Sequence, residues 1–324
     1  MDTIFVGHES AFAYWSHARA RETRECRPAG IRSLASATAS ASAVRLARQL
    51  SPLVSGLPSP LHVMVGTQSH RLRSRDVVAH SCEASLPPHS FCTLDADGYI
   101  ASPELTLMQY ARTVPTWQFL REAYALCGTY ALDPTDTRGF VDRLPITSVQ
   151  RLRAFARAAS SLQGVVALRK ALPYLANGSA SPQETILALV LCLPQAQGGY
   201  GLPVPLLNEH IVVAPRLRSH VEKDWYMPDL YWPSHHLAVE YNSTAFHTGA
   251  QNIANDSKRA KDFAVLGIEL LTVTWHEVHD QVLTDRVAQR IARALGKRLR
   301  PRTSAQAKAC RMLRAQIMPQ RPSP

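Results

Sequence analysis

Residues 225–242 constrain the fold most tightly. They read WYMPDLYW, then PSHH, then LAVEYN. Two runs rich in aromatic and aliphatic residues on either side of a short polar loop predict an antiparallel hairpin. With Pro233, Ser234, His235 and His236 as the loop, Trp232 faces Leu237, and counting outward sets Asp229 opposite Glu240. Opposed residues share a face, with Cβ atoms about 4.5–5.5 Å apart, and Asn242, two residues past Glu240, joins them. The other face carries Leu230, Trp232, Leu237, Val239 and Tyr241 and predicts the core side.

Two carboxylates directly across a ladder repel, so stability alone disfavours this register. A divalent cation relieves the repulsion, and Mg²⁺ or Mn²⁺ prefers carboxylate oxygens. Such an ion activates water and stabilises charge during phosphodiester hydrolysis. The alternative is another register, with both acids in water.

The segments around the hairpin predict an α-β-β-β-α-β-α order. Ser181-Pro182-Gln183-Glu184 opens a helix reaching Leu193. Strands follow over 208–214, 225–232 and 237–242, then a polar helix over 251–266 ended by Gly267. A strand over 268–275 and an amphipathic helix over 283–295 complete the order. The glycine turn at 197–201 lacks the spacing of a dinucleotide or phosphate-binding loop and has no phosphate role. Upstream, 61–65 and 77–80 read as short strands; the basic cluster His70 to Arg75 between them reads as an exposed hairpin turn, with phosphate contact as the alternative, and helices follow near 103–112 and over 117–131. The resulting division is a poorly defined 1–60 containing the low-complexity run SLASATASASA, an α+β domain over 61–145, a helical connector over 146–180, a larger domain over 181–296 and a flexible tail over 297–324.

Charge separates body from tail. The net charge is +11, and 281–324 holds 11 basic residues against one acidic residue, leaving the body nearly neutral. A basic tail draws polyanions such as nucleic acid; the alternative is a solvated terminus. The longest apolar run, over 186–193, is too short to cross a bilayer, and Met1-Asp2 lacks a basic leader region, so no membrane partner and no secretory signal are expected. Six cysteines without a C-x-x-C pair give little basis for a zinc site or a disulfide framework, and a reduced cytoplasmic protein is expected.

The pattern Pro228-Asp229, ten residues, then Glu240-Tyr241-Asn242 resembles the PD-(D/E)XK nuclease core, most closely its very-short-patch-repair-like endonuclease branch. Glu184, Asn242-Ser243, His247, Asp256 with Arg259, Gly267-Ile268 and Val273-Thr274 match that branch in order over 181–279. The resemblance implies a restriction-endonuclease-like fold, a mixed sheet flanked by helices in an α/β (α+β overall) chain, and a metal-dependent DNA endonuclease. It implies Asp229 and Glu240 as ligands of Mg²⁺ or Mn²⁺, Glu184 assisting from the first helix, and His247 as an acid, a base or a phosphate-polarising group. Asn242 stands where the family has Lys or Asp. It is neutral and cannot act as a general base, though its carbonyl oxygen can orient water or bind metal.

Segments 61–65, 77–80 and 101–107 resemble the AbiE-type antitoxin family, although no winged helix is found. This similarity implies a link to phage defence or a toxin–antitoxin system, a cognate toxin as partner, and, as an alternative function, a non-catalytic antitoxin-like regulator with a decayed nuclease fold. Individual residues also have plain structural readings. Ser181 and Glu184 match a capping box around Pro182. Asp256 and Arg259, at i and i+3, read as a helix-surface pair, with orienting the site as the alternative.

Overall fold

The computed structural model describes residues 3–17, 27–39, 57–71, 74–95, 98–242 and 250–318. Its chain is mixed α/β and divides into two units, 1–175 and 176–324.

The first unit is built on a six-stranded mixed sheet. Its strands are β1 (Ile4–Val6), β2 (Pro28–Ala29), β3 (Leu61–Val65), β4 (Val77–Ser81), β5 (Phe91–Asp95) and β6 (Gly98–Ala101), in the order β2-β5-β6-β1-β3-β4. Residues before 61, expected to be poorly defined, thus supply β1, which lies between β6 and β3 and is fully buried. Within the low-complexity run, 33–39 is irregular chain that buries Leu34 and Ala37; the remainder lies outside the described residues. The expected hairpin between 61–65 and 77–80 is corrected: β3 and β4 pair in parallel. The connection over 66–76 is therefore a crossover, not a tight turn.

Helices α1 (His8–Ser16), α2 (Pro103–Tyr110), α3 (Thr116–Cys127), α4 (Val149–Ala158) and α5 (Val165–Ala171) accompany this sheet. Ser102 caps α2 by accepting the Leu105 N–H, with Pro103 at the first helical position. α3 stops at Cys127, short of the expected 131, because residues 130–132 form β7 (Tyr130–Leu132), paired with β8 (Phe140–Asp142). α4 and α5, read as part of a connector, bury Val149, Leu152, Phe155, Val165 and Leu168 and belong to this unit. Cys82, Cys127, Cys192 and Cys310 are free thiols, but Cys92 on β5 is disulfide-bonded, which corrects the reading of uniformly reduced cysteines.

The second unit opens with α6 (Pro182–Cys192), buried from Glu184 to its end. From Ile186 onward it is apolar all round, as a buried helix is. Its sheet contains β9 (Leu206–Leu207), β12 (Leu230–Trp232), β13 (Leu237–Asn242) and β14 (Glu269–Thr274), ordered β14-β13-β12-β9. A separate ribbon pairs β10 (Ile211–Val212) with β11 (Trp225–Tyr226). The strand expected over 225–232 is two short strands, interrupted where Pro228 cannot donate to a ladder. That over 208–214 shrinks to β10, because Asn208 adopts a left-handed φ of 49°. α7 (Ala250–Val265) covers one sheet face: Phe263 packs with Val213, Tyr226, Ala238 and Ile268. Gly267, at φ 70°, ends the helix and admits β14, as its left-handed conformation requires.

After α8 (Trp275–His279) and α9 (Gln281–Ala294), the expected flexible tail instead contains α10 (Ser304–Ile317). Thr303 and Gln306 form a capping box, and Cys310, Leu313 and Ile317 are buried. α10 docks against the turn at Gly198, where an added Cβ would stand 2.6 Å from the Ala309 carbonyl oxygen. Among the described residues, no helix is long and apolar enough to cross a membrane.

Candidate functional site

β12 and β13 pair in the expected register: Trp232 with Leu237, Tyr231 with Ala238, Leu230 with Val239. A short helical turn over Pro233–His235 and a left-handed His236 close the loop, and the His236 N–H donates to the Pro233 carbonyl. Continuing the register past Leu230 sets Asp229 across from Glu240. Asp229 is fastened there: its Oδ2 accepts the Tyr241 N–H at 2.6 Å, and its carbonyl accepts the Asn208 N–H at 3.1 Å. Burial, then the charges of Glu184 and Glu240, push its carboxyl up to about 7, against the Tyr241 hydrogen bond and Arg259.

Glu184 is 7% exposed, and both of its carboxylate oxygens are engaged. Oε1 accepts the Ser181 hydroxyl at 2.8 Å. Oε2 accepts the Ala180 N–H at 2.8 Å and the Asn208 Nδ2–H at 2.6 Å. Ser181 caps the helix by accepting the Glu184 N–H. The expected capping box is thus only half formed: Ser181 is the N-cap, but Glu184 accepts the Ala180 N–H rather than the Ser181 N–H, and its charge acts on Asp229. Burial raises the Glu184 carboxyl above its ordinary range, and these hydrogen bonds oppose the rise.

Glu240 is half-buried and faces α7. Its Oε1 accepts Arg259 Nε at 2.5 Å and also contacts the second guanidinium nitrogen. Arg259 lies over the rings of Phe263 and Tyr226, at 5.5 and 5.8 Å from their centroids, and the Tyr226 hydroxyl donates to buried Asp262 at 2.6 Å. Arg259 is thus a partner of Glu240, in line with the alternative that it orients the site; the expected surface pair with Asp256 falls on a side chain outside the described residues. Asn242 is half-buried two residues beyond Glu240, opposite Thr274 on β14. His247 and Ser243 lie outside the described residues.

Sequence reasoning missed Asn208, which bridges Gly178, Glu184 and Asp229. Its signal was weak: Asn tolerates left-handed backbone better than most residues, which argues for a turn where a strand was expected. The Tyr226–Asp262 bond, which braces the ring beneath Arg259, was missed as well. Glu184, Asp229 and Glu240 lie in one neighbourhood, but among the described residues their oxygens do not form a group of three donors within 4.8 Å of one another. Arg259 engages an oxygen of Glu240.

No family model matches the chain, and no solved structure matches it. It is similar to two uncharacterized proteins of Mycobacterium tuberculosis, from strains CDC 1551 / Oshkosh and ATCC 25618 / H37Rv. Each is 28% identical over 185 residues, or 57% of this chain. The aligned region spans 62% of each relative's length.

Proposed function

We propose that 181–296 is a metal-dependent DNA endonuclease domain of the PD-(D/E)XK type, acting in the cytoplasm. The observation that carries this reading is the hairpin register, which aligns Asp229 with Glu240 on a sheet covered by helices. A carboxyl raised to about 7 among further acids is costly for a purely structural role and characteristic of functional sites.

The donor chemistry fits a hard cation: Asp229 and Glu240 would hold Mg²⁺ or Mn²⁺, and the bound ion supplies an activated water. Glu184 sets the local field and, with Asn208, fixes the position of Asp229. Arg259 holds the Glu240 carboxylate in place and provides positive charge beside the scissile phosphate. Asn242 orients water through its amide. Exposed Arg286, Arg290, Arg293, Lys297, Arg298 and Arg300 give the second unit a basic surface that attracts phosphates without reading sequence. The antitoxin-like features of the first unit suggest a role linked to phage defence or a toxin–antitoxin system, with a cognate toxin as a further partner.

A second reading is a non-catalytic DNA- or protein-binding regulator. Two observations favour it: the Glu240 carboxylate is already taken by Arg259, and both oxygens of Glu184 are hydrogen-bonded. Nicking of supercoiled plasmid with Mg²⁺ or Mn²⁺, beside an identically purified Asp229→Ala control, separates the two. The endonuclease reading requires metal-dependent nicking that the control lacks. Salt-sensitive DNA binding without nicking supports the regulator.

A further inference from the structure

A second group of metal-binding side chains lies in the first unit, built from three separate segments. α1 begins with His8 and Glu9 directly after β1, β3 carries His62, and β4 carries His80. The parallel register pairs Met64 with His80, so His62 and His80 share a sheet face, one step apart. His62 Nδ1 stands 3.0 Å from His80 Nε2 and 2.5 Å from Glu9 Oε2. The His8 ring stacks on His80 with centroids 3.6 Å apart. One donor atom from each of His8, Glu9 and His80 lies within 4.8 Å of the other two.

The backbone holds this convergence in place. The His62 N–H donates to the Ser10 hydroxyl at 2.9 Å, and the Gly7 N–H donates to the His62 carbonyl at 3.0 Å. His8 adopts a φ of 50°, uncommon for a residue with a Cβ, and its N–H donates to Gln109 Oε1 at 2.9 Å. Such a conformation persists only where its surroundings over-determine it.

Proton counting makes the cluster unusual. If His62 Nδ1 carries a hydrogen, that hydrogen can be aimed well at Glu9 or at His80, not at both. If it carries none, its lone pair faces a carboxylate oxygen. A divalent cation held by His8, Glu9 and His80 would leave His62 Nδ1–H free to donate to Glu9 alone. Burial, then the neighbouring imidazoles and Arg112, push His8 down to about 3. Burial and His62 push His80 down to about 4.

We propose that His8, Glu9 and His80 bind one transition-metal ion of the Zn²⁺ class, with His62 beside them as a hydrogen-bonding partner of Glu9. Imidazoles with one carboxylate are a donor set for Zn²⁺ or Co²⁺, whereas Mg²⁺ prefers oxygen alone, which separates this site chemically from the acidic trio. A cavity of about 370 Å³ adjoins the cluster at His8 and is also lined by Met64, Gln109 and Arg112.

The test is titration of the chelator-treated full chain with Co²⁺, followed by displacement with Zn²⁺. In wild type the visible absorption of tetrahedral cobalt should saturate at one equivalent, apart from any weakly absorbing cobalt held by carboxylates alone. His80→Ala should weaken binding by more than the roughly 10–100-fold typical of outer-shell changes. Glu9→Gln should weaken it as well. Because the Glu9 side chain is 52% exposed, that variant keeps the fold and tests the site even if His80→Ala does not fold. Asp229→Asn should leave the cobalt spectrum unchanged. Failure of wild type to bind Co²⁺, or unchanged affinity in folded Glu9→Gln, overturns the proposal.

Discussion

Replacing Asp229 with Asn should stabilise the metal-free protein at alkaline pH while removing its response to Mn²⁺. Burial and the charges of Glu184 and Glu240 move the carboxyl from its ordinary 3.8 to about 7. Because the folded-state value lies above the unfolded one, this group's contribution to stability is fully present below pH 3.8 and is lost as pH rises through 7. The whole displacement corresponds to about 4 kcal/mol. Asp229 retains some solvent contact, and screening reduces the expected gain for Asn at pH 8 to about 2 kcal/mol. Asn preserves an oxygen to accept the Tyr241 N–H, so the hairpin loses no hydrogen bond. For a unit of this size the gain is about 6 °C in Tm, closing as pH falls toward 4.

Thermal unfolding of EDTA-treated wild type and variant at pH 4, 6 and 8 measures it, with a further series in Mn²⁺ at pH 8. Added Mn²⁺ should raise the wild-type Tm by mass action and leave the variant unmoved. A variant less stable than wild type at pH 8, or one whose Tm still rises fully with Mn²⁺, would refute the account of strained carboxylates relieved by a cation.

Arg259→Ala should cost about 2 kcal/mol in the metal-free protein by stripping a half-buried carboxylate of its charged donor. It should also tighten Mn²⁺ binding, since the arginine no longer competes for Glu240; calorimetric titration reads both the constant and its sign. Asn208→Ala deletes the bonds to Gly178 and Glu184 and places a Cβ-bearing residue at φ 49° without a side chain that helps hold it there. A loss of about 2–3 kcal/mol in urea denaturation is expected, with Asn208→Gly recovering only the backbone part.

Local rules made the hairpin legible. Side-chain period and a four-residue loop leave one register that buries Leu230, Trp232, Leu237 and Val239, and that register is the one observed. The start of α6 followed from Ser181 and Pro182, and the end of α7 from Gly267, because caps act within a single turn. These are short-range preferences, written in residues a few positions apart.

Other arrangements depended on which faces pack together. Arg259 lies 19 residues from Glu240, Asn208 lies 24 from Glu184, and His62 lies 18 from His80. Closing such loops costs little more than closing shorter ones, so separation along the chain carries almost no information about partners. The same holds for β1, a three-residue strand buried between β6 and β3, and for α10, whose apolar stripe lay within a basic segment. Sequence alone therefore set the hairpin's register and the helix ends, through local sterics and periodicity. Only the packing of distant elements joined Arg259 to Glu240, Asn208 to Glu184, and three histidines to Glu9, because burial of apolar faces selects those contacts irrespective of order along the chain.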